Sequence, residues 1–220
     1  MLSSPDPLDL SSSTEVSQYQ NTGTRRPEKS LLQWEVAAPS ANMPVYLTNP
    51  GNCQIKALFG KINDRLGVMK EVAAWKSINN KPTEDLEQEK RVLAAAQQMA
   101  IEHKIDPKTW EVFIQAQMDA AKEIQDNYRS QWQENNEKPP TGCRSIEQSR
   151  KDIADIGKEI LSLMANSLTS QLKVEEARDL FIDSLTTEKL SDTTKENLFK
   201  ALADVRLAPD TVMVGHVVVP

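Results

Sequence analysis

Residues 65–93, RLGVMKEVAAWKSINNKPTEDLEQEKRVL, read as the end of one helix, a polar turn over 78–83 and the start of a second helix. Arg65 stands in the series Leu58, Ile62, Arg65, Met69, Val72, Lys76, whose steps alternate between four and three residues. That rhythm puts all six on one stripe of a helix, normally the buried one. Arg65 and Lys76 lie eleven residues apart. On one continuous helix that is close to three turns, so they point the same way roughly 16 Å apart. Two inward cations without partners are costly, and an anion is expected between them.

Working outward, the helical apolar period covers 53–77, with Asn52 as a candidate cap. Asn79, Asn80 and Pro82 end it, since paired asparagines favour a turn and proline cannot continue the ladder. Thr83 is the predicted N-cap of the second helix, with Glu84 and Asp85 in a first turn whose dipole favours negative charge. That helix runs to about His103. Asp106 then caps a third helix, and Pro107 takes its first position. Its inward positions include Trp110, Ile114, Gln117, Ala121, Ile124, Gln125, Tyr128 and Trp132. A fourth helix, about 144–168, shows Ile146, Arg150, Ile153, Gly157, Ile160 and Met164 in the same rhythm, and two short amphipathic segments follow at 174–185 and 194–205.

The fold class is therefore all-α: a single-domain helical bundle of about six helices, with an active site placed among the long ones. Residues 1–50 are polar and aperiodic and are predicted to form a poorly ordered, flexible N-terminal extension. The helical domain is assigned to 51–207. Residues 208–220 are β-prone without a pairing partner and are predicted as an extended C-terminal tail.

The chain has 220 residues, enough for a substantial core, and a net charge of −6, which argues against nucleic acid as a partner. Its two cysteines, Cys53 and Cys143, have no Cys or His at metal-ligand spacing, so no metal site is expected. One bridge between them and two free thiols fit the sequence equally. No apolar run approaches the ~20 residues needed to cross a bilayer, and no membrane partner is expected. The N-terminus lacks a basic region followed by an apolar one, so no signal peptide is visible in the chain as given.

The charged inward positions recur. Glu89 lies between Leu86 and Leu93 on the second helix, Gln117 and Gln125 on the third, and Arg150 between Ile146 and Ile153 on the fourth. Single cases are explained by long side chains that snorkel to solvent. Recurrence on four helices points instead to a polar cluster or a binding site. Arg65, Lys76 and Arg150 suit a small dianion, Glu89 can accept from a hydroxyl, and Gln125 can donate to an uncharged oxygen. His103 and His216 fall at a helix end and in the tail, so no nucleophile–base pair forms. A phosphate-binding glycine loop is also absent. Such a pocket would work by positioning and electrostatics.

The segment INDRLGVMKEVAAWKSINNKPTEDLEQEKRVL, followed by IDPKTWEVFIQAQMDAAKEIQDNYRSQW, resembles the all-helical chorismate mutases, and within them the exported (gamma) subclass. The resemblance spans roughly 55–160. It rests on Arg65 with AAWK at 73–76, NN-x-P-x-EDLE at the turn, IDP at 105–107, and QAQ with IQ at 115–125, in that order. It implies an isomerase that converts chorismate to prephenate by Claisen rearrangement, on the shikimate pathway towards aromatic amino acids, with no cofactor. Lys76 and Gln125 would then contact the ether oxygen that gains charge, and Glu89 the substrate hydroxyl. Arg65 and Arg150 would bind carboxylates, Arg150 from this chain's own later helix, with Asp85 and Gln88 at the hydroxyl end.

The family usually has arginine where this chain has Gln88, and some relatives have a hydroxyl where it has Ala121. The alternative is thus a catalytically weakened mutase-like protein that binds a carboxylated metabolite or a protein partner. A third reading is a helical scaffold whose inward charges pair internally, for example Glu89 with Arg65. The subclass implies a periplasmic or secreted protein, with a cytoplasmic one as the alternative, and relatives allow a homodimer.

Overall fold

Residues 50–209 are described by the computed structural model, and they form seven α-helices and one 3₁₀ turn. In chain order these are α1 (Pro50–Gly67), α2 (Met69–Ile78), α3 (Leu86–Glu102), α4 (Pro107–Glu134), α5 (Ile146–Thr169), the 3₁₀ turn (Val174–Glu176), α6 (Arg178–Ser184) and α7 (Asp192–Ala203). Of the predicted flexible extension only Pro50 is described, and it opens α1; residues 1–49, and the tail from 210 onwards, lie outside the described residues.

The all-α bundle holds, but the long first helix is two helices. The break falls at Val68, whose backbone stays helical (φ −66°, ψ −20°). Its carbonyl accepts from the N–H groups of both Glu71 and Val72 at 3.1 and 3.3 Å, so the ladder resumes at once. Leu58, Ile62, Arg65, Met69 and Val72 are all buried across it. The apolar stripe is unbroken, which is why periodicity could not reveal the break. Gly67 beside it lowers helix propensity. The estimate of roughly 16 Å between Arg65 and Lys76 assumed one straight helix and does not apply.

Two further boundaries differ from expectation. Asp85, not Thr83, is the N-cap of α3: its carboxylate accepts from the Gln88 N–H at 3.1 Å. Asn52 lies within the first turn of α1, since that helix already starts at Pro50. Asp106 caps α4 as predicted, accepting from the Lys108 N–H at 2.9 Å, with Pro107 in the first turn. The segment 174–185 is a 3₁₀ turn and then α6, because the backbone leaves helical geometry at Ala177 (φ −102°, ψ 26°).

α4 runs through the middle of the bundle and packs on α3, α2 and α7, while α1 packs on α5. The core joins Leu58, Phe59 and Ile62 of α1 to Ile160, Leu161 and Met164 of α5. Phe59 meets Phe181 edge to face with ring centroids 5.0 Å apart, and Phe181 meets Phe199 at 5.4 Å. Each fully buried phenylalanine contributes about 1.5–3 kcal/mol. Just before the tail, Leu207 makes an isolated antiparallel bridge with Ile105, and the Ala208 N–H donates to the Lys104 carbonyl at 2.8 Å. The start of the tail therefore does have a partner, the turn between α3 and α4. Cys53 and Cys143 are free thiols, which decides the open question of a bridge.

Candidate active site

A cavity of about 390 Å³ opens between the helices, within the usual range for small-molecule sites. All seven sequence-predicted site residues line it: Arg65, Lys76, Asp85, Gln88, Glu89, Gln125 and Arg150. Gln117 is buried on α4 but does not line it. Among the described residues, no three His, Cys, Asp or Glu side chains gather as a metal site.

Arg65 sits at the end of α1 with 6% of its surface exposed. Its buried Nη1 has no hydrogen-bond partner among the described residues. Burial without a carboxylate pushes its pKa down to about 10, so the guanidinium remains charged at neutral pH. Lys76, near the end of α2, is half-buried and donates to the Thr83 carbonyl oxygen at 2.5 Å. Burial lowers its pKa, Asp85 pulls it back up, and Arg150 and Arg129 lower it further. The Thr83 hydroxyl donates to Asp126 at 2.5 Å and accepts from Arg129 at 2.9 Å, pinning the turn that holds Lys76 to α4.

Gln125 is buried on α4 and donates through Nε2 to the Ala121 carbonyl at 2.9 Å. Its Nε2 also lies 3.7 Å from Met69 Sδ, a weak acceptor that an oxygen would outcompete. Glu89 on α3 is paired with Lys122 Nζ of α4 at 3.2 Å. That overturns the scaffold reading's example, Glu89 with Arg65. Arg150 differs from expectation in being exposed rather than inward. The packed face of the first turns of α5 is Ile146, Ser149 and Ile153, which leaves Arg150 at the cavity mouth, 3.1 Å from Asp85. Gln88 accepts through Oε1 from Arg91 at 3.0 Å.

With Glu89 matched by Lys122 and Asp85 by Arg150, two cavity cations have no carboxylate partner among the described residues: Arg65 and Lys76. The cavity can therefore hold a compact dianion, with an amide donor in Gln125 and a carboxylate acceptor in Glu89 beside it.

The family profile described as chorismate mutase type II matches residues 56–126. The secreted chorismate mutase of Yersinia pestis is 31% identical over 148 residues, which are 66% of this chain and 78% of that protein. The chain belongs to the chorismate mutase type II family. A monofunctional chorismate mutase of Enterobacter agglomerans is 28% identical over 162 residues, 74% of this chain and 89% of that protein. The crystal structure of the Yersinia pestis secreted enzyme superposes with a TM-score of 0.63 at 29% identity, covering 68% of this chain and 97% of its own.

Six of the seven predicted residues fall inside the matched segment of this chorismate mutase family member, and Arg150 is brought to them by the fold from beyond it. Beyond the apolar lining, three cavity residues lie outside the sequence-predicted set: Thr83, Lys122 and Lys158, the last paired on its own helix with Asp155 at 2.9 Å. Thr83 was read as a helix cap. Lys122 was passed over because it follows the inward position Ala121, where a lysine reads as solvated. The signal that finds it is its place three residues before Gln125, on the same face of α4.

Proposed function

We propose that this protein isomerises chorismate to prephenate in the cavity described above. The observation that carries the reading is the pair of cations without carboxylate partners among the described residues, Arg65 and Lys76, facing one cavity together with Gln125. Chorismate has two carboxylates, a hydroxyl and an ether bond that breaks, and its unimolecular rearrangement calls for no cofactor. Arg65 clamps one carboxylate and holds the compact reactive conformer. Lys76 exchanges the Thr83 carbonyl for substrate oxygen, and Gln125 gives the ether oxygen the hydrogen now directed at Met69 Sδ. Charge grows on that oxygen as the bond lengthens, so these two donors stabilise the transition state more than the ground state. Glu89 accepts from the substrate hydroxyl, and Arg150 moves from Asp85 to the second carboxylate.

The test is direct turnover, read as loss of chorismate absorbance by the purified protein. Lys76→Ala and Gln125→Ala are each expected to slow it by about 10²–10³-fold. Turnover no faster than the uncatalysed reaction would refute the enzyme reading. In its place would stand the binding protein that the uncharged Gln88 favours. We also place the protein outside the cytoplasm, supported by its secreted relative in Yersinia pestis, and cell fractionation checks this. Because one chain supplies every proposed group, activity is expected of monomer and homodimer alike, and sedimentation at assay concentration decides which is present.

A further inference from the structure

Glu89 is a carboxylate in a cavity proposed to take a dianion, so its charge opposes binding unless something offsets it. Besides Lys76 and Arg150, which face Asp85, three cations stand near this end of α3. Lys90 pairs with Glu87 on the surface at 3.3 Å, and Arg91 bonds the Gln88 side chain; neither lines the cavity. Lys122 does line it. Its Nζ crosses from α4 to Glu89 Oε2 at 3.2 Å, in a pair only 26% and 19% exposed, and a second bond to Asp119 at 3.2 Å holds it from its own helix. Glu89 Oε1 makes no hydrogen bond among the described residues. The carboxylate is thus anchored by one oxygen and open at the other.

We propose that Lys122 is a positioning residue for the rearrangement, holding Glu89 so that Oε1 meets the substrate hydroxyl and cancelling a charge that would repel the substrate. The inference rests on the chorismate reading. It also explains how the neutral Gln88 is tolerated, since the cation this end needs arrives from the facing helix. With Lys122 the cavity lining carries five cations (Arg65, Lys76, Lys122, Arg150, Lys158) against two carboxylates (Asp85, Glu89). Without it a bare carboxylate faces the ligand. The loss falls on substrate binding more than on the chemical step, because Lys122 does not reach the ether oxygen's donors by any bond.

Steady-state kinetics of Lys122→Met, Lys122→Arg, Glu89→Gln and the pairs Lys122→Met/Glu89→Gln and Lys122→Met/Gln88→Arg test this. Lys122→Met is expected to raise KM about tenfold or more with kcat within about threefold. Lys122→Arg keeps KM near wild type and shows that the site tolerates a change there. In the Glu89→Gln background Lys122→Met adds less than about twofold, because the two act as a unit. Gln88→Arg, which places a cation one residue from Glu89, lowers the raised KM again. An unchanged KM in Lys122→Met overturns the proposal, as do additive effects with Glu89→Gln or a loss confined to kcat. Wild-type protein without turnover overturns this proposal and the chorismate reading together, whereas active wild type with an insensitive Lys122 overturns this one alone.

Discussion

Replacing Arg65 by methionine is expected to stabilise the folded protein while disabling it. A guanidinium pushed by burial from its ordinary, strongly basic value down to about 10 destabilises the unliganded fold by about 3 kcal/mol at neutral pH. The sign follows from the direction of the shift. The charged form is disfavoured in the fold, so the penalty is fully present below pH 10 and relieved only as pH climbs from there towards the guanidinium's ordinary value. Methionine keeps the apolar stem and removes the charge. Allowing for imperfect packing, a net gain of about 2 kcal/mol remains, or roughly 4–8 °C in Tm for a domain of this size. The carboxylate clamp is lost at the same time. Removing one partner of a buried charged pair costs about 3–5 kcal/mol, so kcat/KM falls by roughly 10²–10³-fold or more. Calorimetry and the turnover assay on one preparation read both changes. A Tm that falls alongside activity would refute the reasoning, because Arg65 would then already be compensated in the empty protein.

Gln88→Arg is expected to leave turnover similar or higher, since the residue lines the cavity and its Oε1 only accepts from Arg91; a large loss would give Gln88 a role of its own. Lys76 must be charged to stabilise the charge that grows on the ether oxygen, and burial lowers its pKa. kcat/KM should therefore be full at neutral pH and fall on the alkaline side with an apparent pKa below an ordinary lysine's 10.5, a limb that moves or vanishes in Lys76→Arg. Exposed Cys53 is expected to alkylate in the native protein faster than half-buried Cys143, and the intact mass to stay the same with and without reductant.

The long helices were legible because their apolar residues recur at helical spacing, and the site was legible as charges standing where Leu or Ile is expected. Arg65 and Gln125 show this best: both are buried as their positions imply. The break at Val68 was hidden because the backbone barely departs from helix there and the stripe continues across it. Two acceptable caps, Thr83 and Asp85, compete within three residues, and the contacts that assign Thr83 elsewhere come from Asp126 and Arg129, more than 40 positions later. Arg150 was misjudged for a related reason. Its spacing marks the right side of α5, but Ile146 and Ser149 take the packed face, and only the approach of α3 shows that what lies over Arg150 is a cavity mouth.

The Arg150–Asp85 contact also competes with whatever enters the cavity. The two side chains are 43% and 39% exposed, and such a pair is worth at most about 1 kcal/mol. Arg150 is then released at least roughly a sixth of the time, and a ligand that needs it loses no more than about sixfold in apparent affinity to this internal competitor. Added salt weakens the competitor along with the attraction for the incoming anion. The two effects oppose each other, and the entrance is in part buffered against the ionic strength around it.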